Sequence, residues 1–223
     1  MSHIISNILN IDQLTKLRQW IAESPFESGD RTAGSRARRV KDNLQMTRDA
    51  PHRKDIHDLI ASTLMGNTEF RRIALPRSLR PTMISRYQPG MAYGPHVDDA
   101  LMGKERMTRS DLSFTIFIAD PTEYDGGELT IMFSAGEHEV KLPAGTMYLY
   151  PSSSIHRVQP VTRGERVAIV GWVESYVRDP AKREILYDIG RIKQLLNAQL
   201  PNAAETDLVS KTHVNLMRMW ADT

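Results

Sequence analysis

The 223-residue chain contains no cysteine. That excludes disulfides, thiolate metal sites and cysteine nucleophiles, so any metal must be held by histidine or carboxylate. It also suits a reducing cytosol. Long hydrophobic runs are missing too: the longest apolar stretch lies near Val167–Val173, far short of the ~20 residues of a spanning helix. Met1–Ser6 lacks a basic segment followed by an apolar one, so no signal peptide is expected. Cytoplasmic residence without a membrane partner is the resulting expectation. A strong excess of one charge is absent as well. A net charge of +2 is too mild to argue for a nucleic-acid partner. The remainder is ordinary, with 40% hydrophobic and 25% charged residues, enough for one sizeable core and a small appended unit.

Ile4–Leu9 reads as a short strand. Asn10 with Gln13 then forms a capping pair that opens a helix to about Glu23. Residues 25–50 read as loop and carry Arg31, Arg36, Arg38, Arg39 and Lys41. Such a cluster is usually a solvated loop; Asp30 and Asp42 dilute it, and no aromatics interleave for base stacking. A second helix is expected over Lys54–Met65, with Gly66 as its stop. From Ile73 to Tyr176 the texture becomes short strands separated by turn residues. They are expected near 71–75, 82–88, 93–98, 112–119, 128–133, 138–142, 146–150, 156–161 and 166–176, with a polar insertion at 99–111. Strands in this number without helices between them point to a sandwich or jelly roll. Asp179-Pro180 opens another helix, and a last one carries Val209, Leu216, Met217 and Trp220. The expected class is α+β with a mainly β core. Residues 1–178 would form the main domain, with its core at about 71–176, and 179–223 a helical extension able to pack on the core or to form a homodimer.

Within the β region, His96 and Asp98 stand two apart in Gly94-Pro95-His96-Val97-Asp98-Asp99. If that segment is extended, alternation puts both on one face and turns Asp99 away. His156 lies far along the chain and could close a two-His-one-carboxylate face from an antiparallel strand. Such a triad leaves coordination positions open and suits non-haem Fe(II) oxygenase chemistry. Arg166 begins the run Val167–Val173, which reads as a buried strand, and a buried arginine needs a strong partner. It could clamp a carboxylate bidentately; the bland alternative is pairing with Glu165 or Glu174. Tyr87 is either a core aromatic or a hydroxyl donor to the same ligand. His138 reads as a hairpin residue, His52 and His57 as solvent-facing, and Gly126-Gly127 as a tight approach to a strand.

Arg86-Tyr87-Gln88-Pro89-Gly90, Gly94-Pro95-His96-Val97-Asp98, Tyr124-Asp125-Gly126-Gly127-Glu128-Leu129, Leu142-Pro143-Ala144-Gly145, Tyr150–Val158 and Thr162–Arg166 together resemble the PKHD-type hydroxylases. These are bacterial Fe(II)/2-oxoglutarate dioxygenases related to the prolyl 4-hydroxylases, and the likeness runs nearly end to end. The resemblance implies a double-stranded β-helix with iron on His96, Asp98 and His156. It implies 2-oxoglutarate on Arg166 with help from Tyr87, O2 as co-reactant and ascorbate as an accompanying reductant. A C–H bond of a prolyl residue, an amino acid or a small metabolite would be hydroxylated, giving succinate and CO2. In related oxygen-sensing enzymes a tyrosine touches the cosubstrate where this chain has Phe117, which lacks a hydroxyl. Loops 28–45 and 99–111 would gate the substrate. Three rivals stand beside this reading. An AlkB-like nucleic-acid demethylase would need a second arginine that Val167–Val173 does not supply. A zinc hydrolase could use the same triad. A non-enzymatic module could bind iron or 2-oxoglutarate only to sense it.

Overall fold

The computed structural model describes residues 2–32, 39–103 and 107–222. Strand β1 (His3–Ile5) leads to helix α1 (Ile11–Ala22), followed by β2 (Phe26–Ser28), β3 (Lys41–Asp42) and β4 (Leu44–Met46). Helices α2 (Arg53–Gly66) and α3 (Thr68–Ala74) come next, then β5 (Pro76–Leu79), β6 (Met83–Tyr87), β7 (Ala92–His96), β8 (Leu101–Met102) and β9 (Thr108–Arg109). The centre of the chain supplies β10 (Leu112–Phe117), β11 (Tyr124–Gly126), β12 (Leu129–Phe133), β13 (Gly136–Val140) and β14 (Met147–Pro151). It closes with β15 (His156–Val158), β16 (Val161–Gly164), β17 (Arg166–Ser175), α4 (Pro180–Gln199) and α5 (Ala204–Trp220).

Two antiparallel sheets face each other as a jelly roll. The larger runs β1-β14-β10-β17-β6-β4-β2 with β5 also on β17, and the smaller runs β13-β12-β15-β7-β3. Period-two alternation explains how the larger sheet serves two purposes at once. Leu112, Phe114, Ile116, Leu149, Ile169 and Val173 turn outward and bury against the helices with Leu17, Ile21, Ile56, Ile60 and Phe70. The intervening residues Ser113, Thr115, Tyr150, Arg166, Val170 and Trp172 line a cavity between the sheets. A smaller apolar cluster includes Tyr87, Phe117, Leu129, Ile131 and Val161, of which Tyr87 and Leu129 also line that cavity.

Local chemistry accounts for the element ends. The Asn10 side chain accepts from the Gln13 backbone N–H while the Gln13 side chain accepts from the Asn10 N–H, the reciprocal capping expected from sequence. Asp179 caps α4 through the N–H groups of Ala181 and Lys182, with Pro180 in the first turn.

Several expectations are corrected. Residues 71–75 are not a strand: Asn67 caps the Phe70 N–H, and Phe70, Ile73 and Ala74 bury the face of α3. The first strand ends at Ile5 rather than Leu9, because Asn7 turns with φ 52°. The 25–50 segment holds three strands, each two or three residues long, too short to present a readable alternation. Of its basic cluster, Arg36 and Arg38 lie outside the described residues. The 99–111 insertion forms the β8–β9 hairpin, apart from residues 104–106, which lie outside the described part. His52 and His57 do not simply face solvent. His52 stacks on Trp20 and pairs with Glu23, and His57 Nδ1 accepts from the Thr82 N–H.

Candidate metal centre and carboxylate clamp

Strand β15 lies antiparallel to β7 with His156 directly opposite His96. The ring centroids are 4.2 Å apart. Asp98 sits just beyond the end of β7, and its Oδ2 is 3.8 Å from His156 Nε2. One donor atom from each of His96, Asp98 and His156 lies within 4.8 Å of the others. Asp99, the competing carboxylate, is exposed and belongs to no such group among the described residues.

Each histidine is oriented from behind. His96 Nδ1 is 2.9 Å from the Gly94 carbonyl, and His156 Nδ1 is 3.0 Å from the Ser154 carbonyl. A carbonyl only accepts, so each Nδ1 carries its proton and each Nε2 presents a lone pair. Burial and the neighbouring His156 push the His96 pKa down to about 4, which keeps that ring neutral and able to ligate. Tyr93 stacks on His96 at 3.6 Å, and Tyr150 meets His156 edge-on at 5.2 Å. Asp98 Oδ2 accepts from Ser113 Oγ at 2.6 Å, and Ser113 Oγ is 2.7 Å from Ser152 Oγ. Donors held in this way are the usual second layer of a metal site. Two imidazoles and one carboxylate within mutual reach fit a divalent ion with open positions.

Farther into the cavity lies Arg166, only 1% exposed. Register places it opposite Tyr87. Its guanidinium carbon is 5.3 Å from the Tyr87 ring and 5.6 Å from the Phe117 ring. Neither bland partner holds it: Glu165 pairs with Arg86, and Glu174 accepts from Ser78. Among the described residues, none of its three guanidinium nitrogens has a well-aligned hydrogen-bond partner. An unsatisfied buried cation of this kind is costly unless a ligand supplies the countercharge. The Tyr124 hydroxyl lies close by without forming a well-aligned bond; burial raises its pKa and the Arg166 charge draws it back. Gly127 makes room for Arg166, since at φ +66° a Cβ there would stand 3.0 Å from Arg166 Cδ. Gly126 is equally constrained, because its Cβ would sit 2.1 Å from the Pro160 carbonyl oxygen.

The triad and Arg166 line one cavity of about 730 Å³. Sequence reasoning had brought together His96, Asp98, His156, Arg166 and Tyr87, and the fold brings all five to this space. It had not found Ser113, Ser152, Tyr93, Tyr124 or Tyr150. Inward alternation on β10 and β14 was the available signal for Ser113 and Tyr150. His138 lies in the exposed hairpin strand β13, as expected.

Fold and pocket together define a class. The sequence profile of the 2OG-Fe(II) oxygenase superfamily matches residues 82–174, which span β6 through most of β17. A Synechococcus sp. (strain JA-2-3B'a(2-13)) PKHD-type hydroxylase is 43% identical over 98% of both chains. One from Maricaulis maris is 48% identical, covering 95% of this chain and 94% of its own. The crystal structure of a Pseudomonas putida prolyl-4-hydroxylase shares the fold, with a TM-score of 0.54 and 18% identity over 78% of this chain and 92% of that one. The chain belongs to the PKHD-type hydroxylase family. It is an Fe(II)- and 2-oxoglutarate-dependent dioxygenase of the hydroxylating kind.

Proposed function

We propose that His96, Asp98 and His156 hold Fe(II) and that Arg166, beside Tyr87, holds the far carboxylate of 2-oxoglutarate. The observation carrying this reading is a fully buried guanidinium, without a carboxylate partner or a well-aligned hydrogen bond among the described residues, in the same cavity as a two-His-one-Asp cluster. Bound Fe(II) supplies the oxidation in which O2 and 2-oxoglutarate yield succinate and CO2 while one oxygen atom enters a substrate C–H bond.

The chain's own residues prepare that chemistry. The backbone carbonyls of Gly94 and Ser154 keep both Nε2 atoms available, and Ser113 fixes one carboxylate oxygen of Asp98. Arg166 offers a bidentate fork, so the diacid enters in one orientation and catalysis gains by positioning. Tyr124 is the hydroxyl near the clamp where Phe117 has none. Tyr93 and Tyr150 wall the metal ligands and reduce access of water.

His96→Ala and Asp98→Ala should each abolish Fe(II)-dependent succinate formation and high-affinity metal binding. Arg166→Ala should raise the KM for 2-oxoglutarate by on the order of 10²-fold, the loss of two charge-assisted hydrogen bonds. Unchanged metal affinity in both ligand variants would overturn the assignment.

The substrate is taken to be a small molecule or a peptidyl unit, met in the cytoplasm. Among the described residues no helix is long and apolar enough to cross a membrane. Residues 1–178 are proposed as the dioxygenase domain and 179–223 as a helical extension. Exposed Ile185, Ile192, Leu195 and Leu208 on α4 and α5 favour pairing of two copies through the hairpin. Light scattering should report a dimer, reduced to monomer by Ile192→Glu with Leu195→Glu.

A further inference from the structure

The cavity has a second end. Arg166 and Trp172 stand six positions apart on β17, about 20 Å of extended strand, with the metal ligands nearer Trp172. That follows because Trp172 pairs with Ser113, which donates to Asp98. The Arg80 N–H donates to the Trp172 carbonyl, so Arg80 lies at the end away from Arg166. β4 runs antiparallel to β6 with Gln45 opposite Ser85. Its continuation therefore brings Arg48 to this same end. Arg53, in the first turn of α2, donates to the Met46 and Thr47 carbonyls, which anchor part of its guanidinium there.

All three arginines line the cavity, and none has a carboxylate partner among the described residues. Their bonds go only to backbone carbonyls and, for Arg80, a long 3.5 Å contact with Thr108 Oγ1. Burial and the nearby Arg48 both disfavour the charge on Arg53. The Trp172 indole N–H, on the same wall, is buried without an acceptor among the described residues. Asp99 is the carboxylate lining this end, and Asp98 is committed to the metal side. Three guanidiniums without a carboxylate partner and an indole N–H without an acceptor among the described residues therefore line one end of the cavity.

Resting on the reading above, we propose that this outer end binds an anionic group, carboxylate or phosphate, of a small substrate through Arg48, Arg53 and Arg80. The fork of a guanidinium matches either anion bidentately. The anion would anchor the substrate beyond the metal and leave a C–H bond facing it. A free amino acid or a carboxylate-bearing metabolite fits this arrangement, whereas a prolyl residue in an uncharged peptide offers nothing to these arginines.

The test is calorimetry on anaerobic protein loaded with Fe(II) and saturated with 2-oxoglutarate, so that Arg166 is already occupied. The probes are N-acetylproline, its neutral amide and phenyl phosphate. At least one anion should bind roughly tenfold or more tighter than the amide, the scale of one charge-assisted hydrogen bond. The preferred anion tells carboxylate from phosphate. Arg48→Gln, Arg53→Gln and Arg80→Gln should each erode that preference. Arg80→Lys should recover part of it, because charge persists while the fork is lost. Arg48 is exposed, so its variant reports binding even if the two less exposed variants fold poorly. Equal affinity for acid and amide, displacement of 2-oxoglutarate by the acid, or a single-stranded oligonucleotide binding more tightly than either small anion would overturn the inference. Failure of the wild-type protein to bind 2-oxoglutarate would instead count against the clamp on Arg166.

Discussion

Asp98 illustrates how much a single side chain depends on its support. It lies just past the end of β7, without a ladder to hold it, and its orientation comes from Ser113 Oγ at 2.6 Å. Ser113→Ala should therefore weaken metal binding by ~10–100-fold, the usual effect of removing a group behind a ligand. Competitive metal titration reads that number, and an unchanged affinity would remove Ser113 from the site. Gly127→Ala should cost ~1–3 kcal/mol, because φ +66° is strained for alanine. It should also weaken 2-oxoglutarate binding, since the new methyl presses on Arg166 Cδ. At this scale the sequence was most readable where residue type and chemistry coincide. His96, Asp98, His156 and Arg166 are unusual in what they can bind. Ser113 and Tyr124 are ordinary residues, and only their neighbours give them a part.

Among elements, β17 connects core to site. Its outward residues Ile169 and Val173 are completely buried, while Arg166 and Trp172 face the cavity. Ile169→Ala should lower unfolding free energy by ~2–5 kcal/mol, read by urea denaturation. A loss under 1 kcal/mol would mean that the outer face of this strand is less tightly packed than its burial indicates. Long strands and capped helices were legible because their periodicity covers several residues: α1, α2, α4 and β17 lie close to where the pattern put them. The two- and three-residue strands β2, β3 and β4 were not. Their place is set by β6 and β7, to which β4 and β3 pair, and not by their own alternation. The helix α3 misled because Ile73-Ala74-Leu75 is a short apolar run that either structure can bury.

For the whole molecule, ligand binding should be visible as stability. Fe(II) with 2-oxoglutarate at about 100 times the dissociation constant adds ~2.7 kcal/mol to the folded state. Tm should rise on loading and fall back with a chelator; no shift would count against a resident metal. The sequence by itself determined the ligand chemistry available. It has no thiols, two histidines and an aspartate in an extended β context, and an arginine opening a buried strand. It also determined the alternation that turns apolar side chains to the helices and polar ones inward. Tertiary structure alone decided which distant residues meet. The register of β15 on β7 sets His156 against His96, and the pairing of β17 with β6 and β10 spaces Arg166 from the His96, Asp98 and His156 cluster. The physical reason is that strand pairing is non-local. Backbone hydrogen bonds are alike at every position, so register is chosen by how the whole set of faces packs.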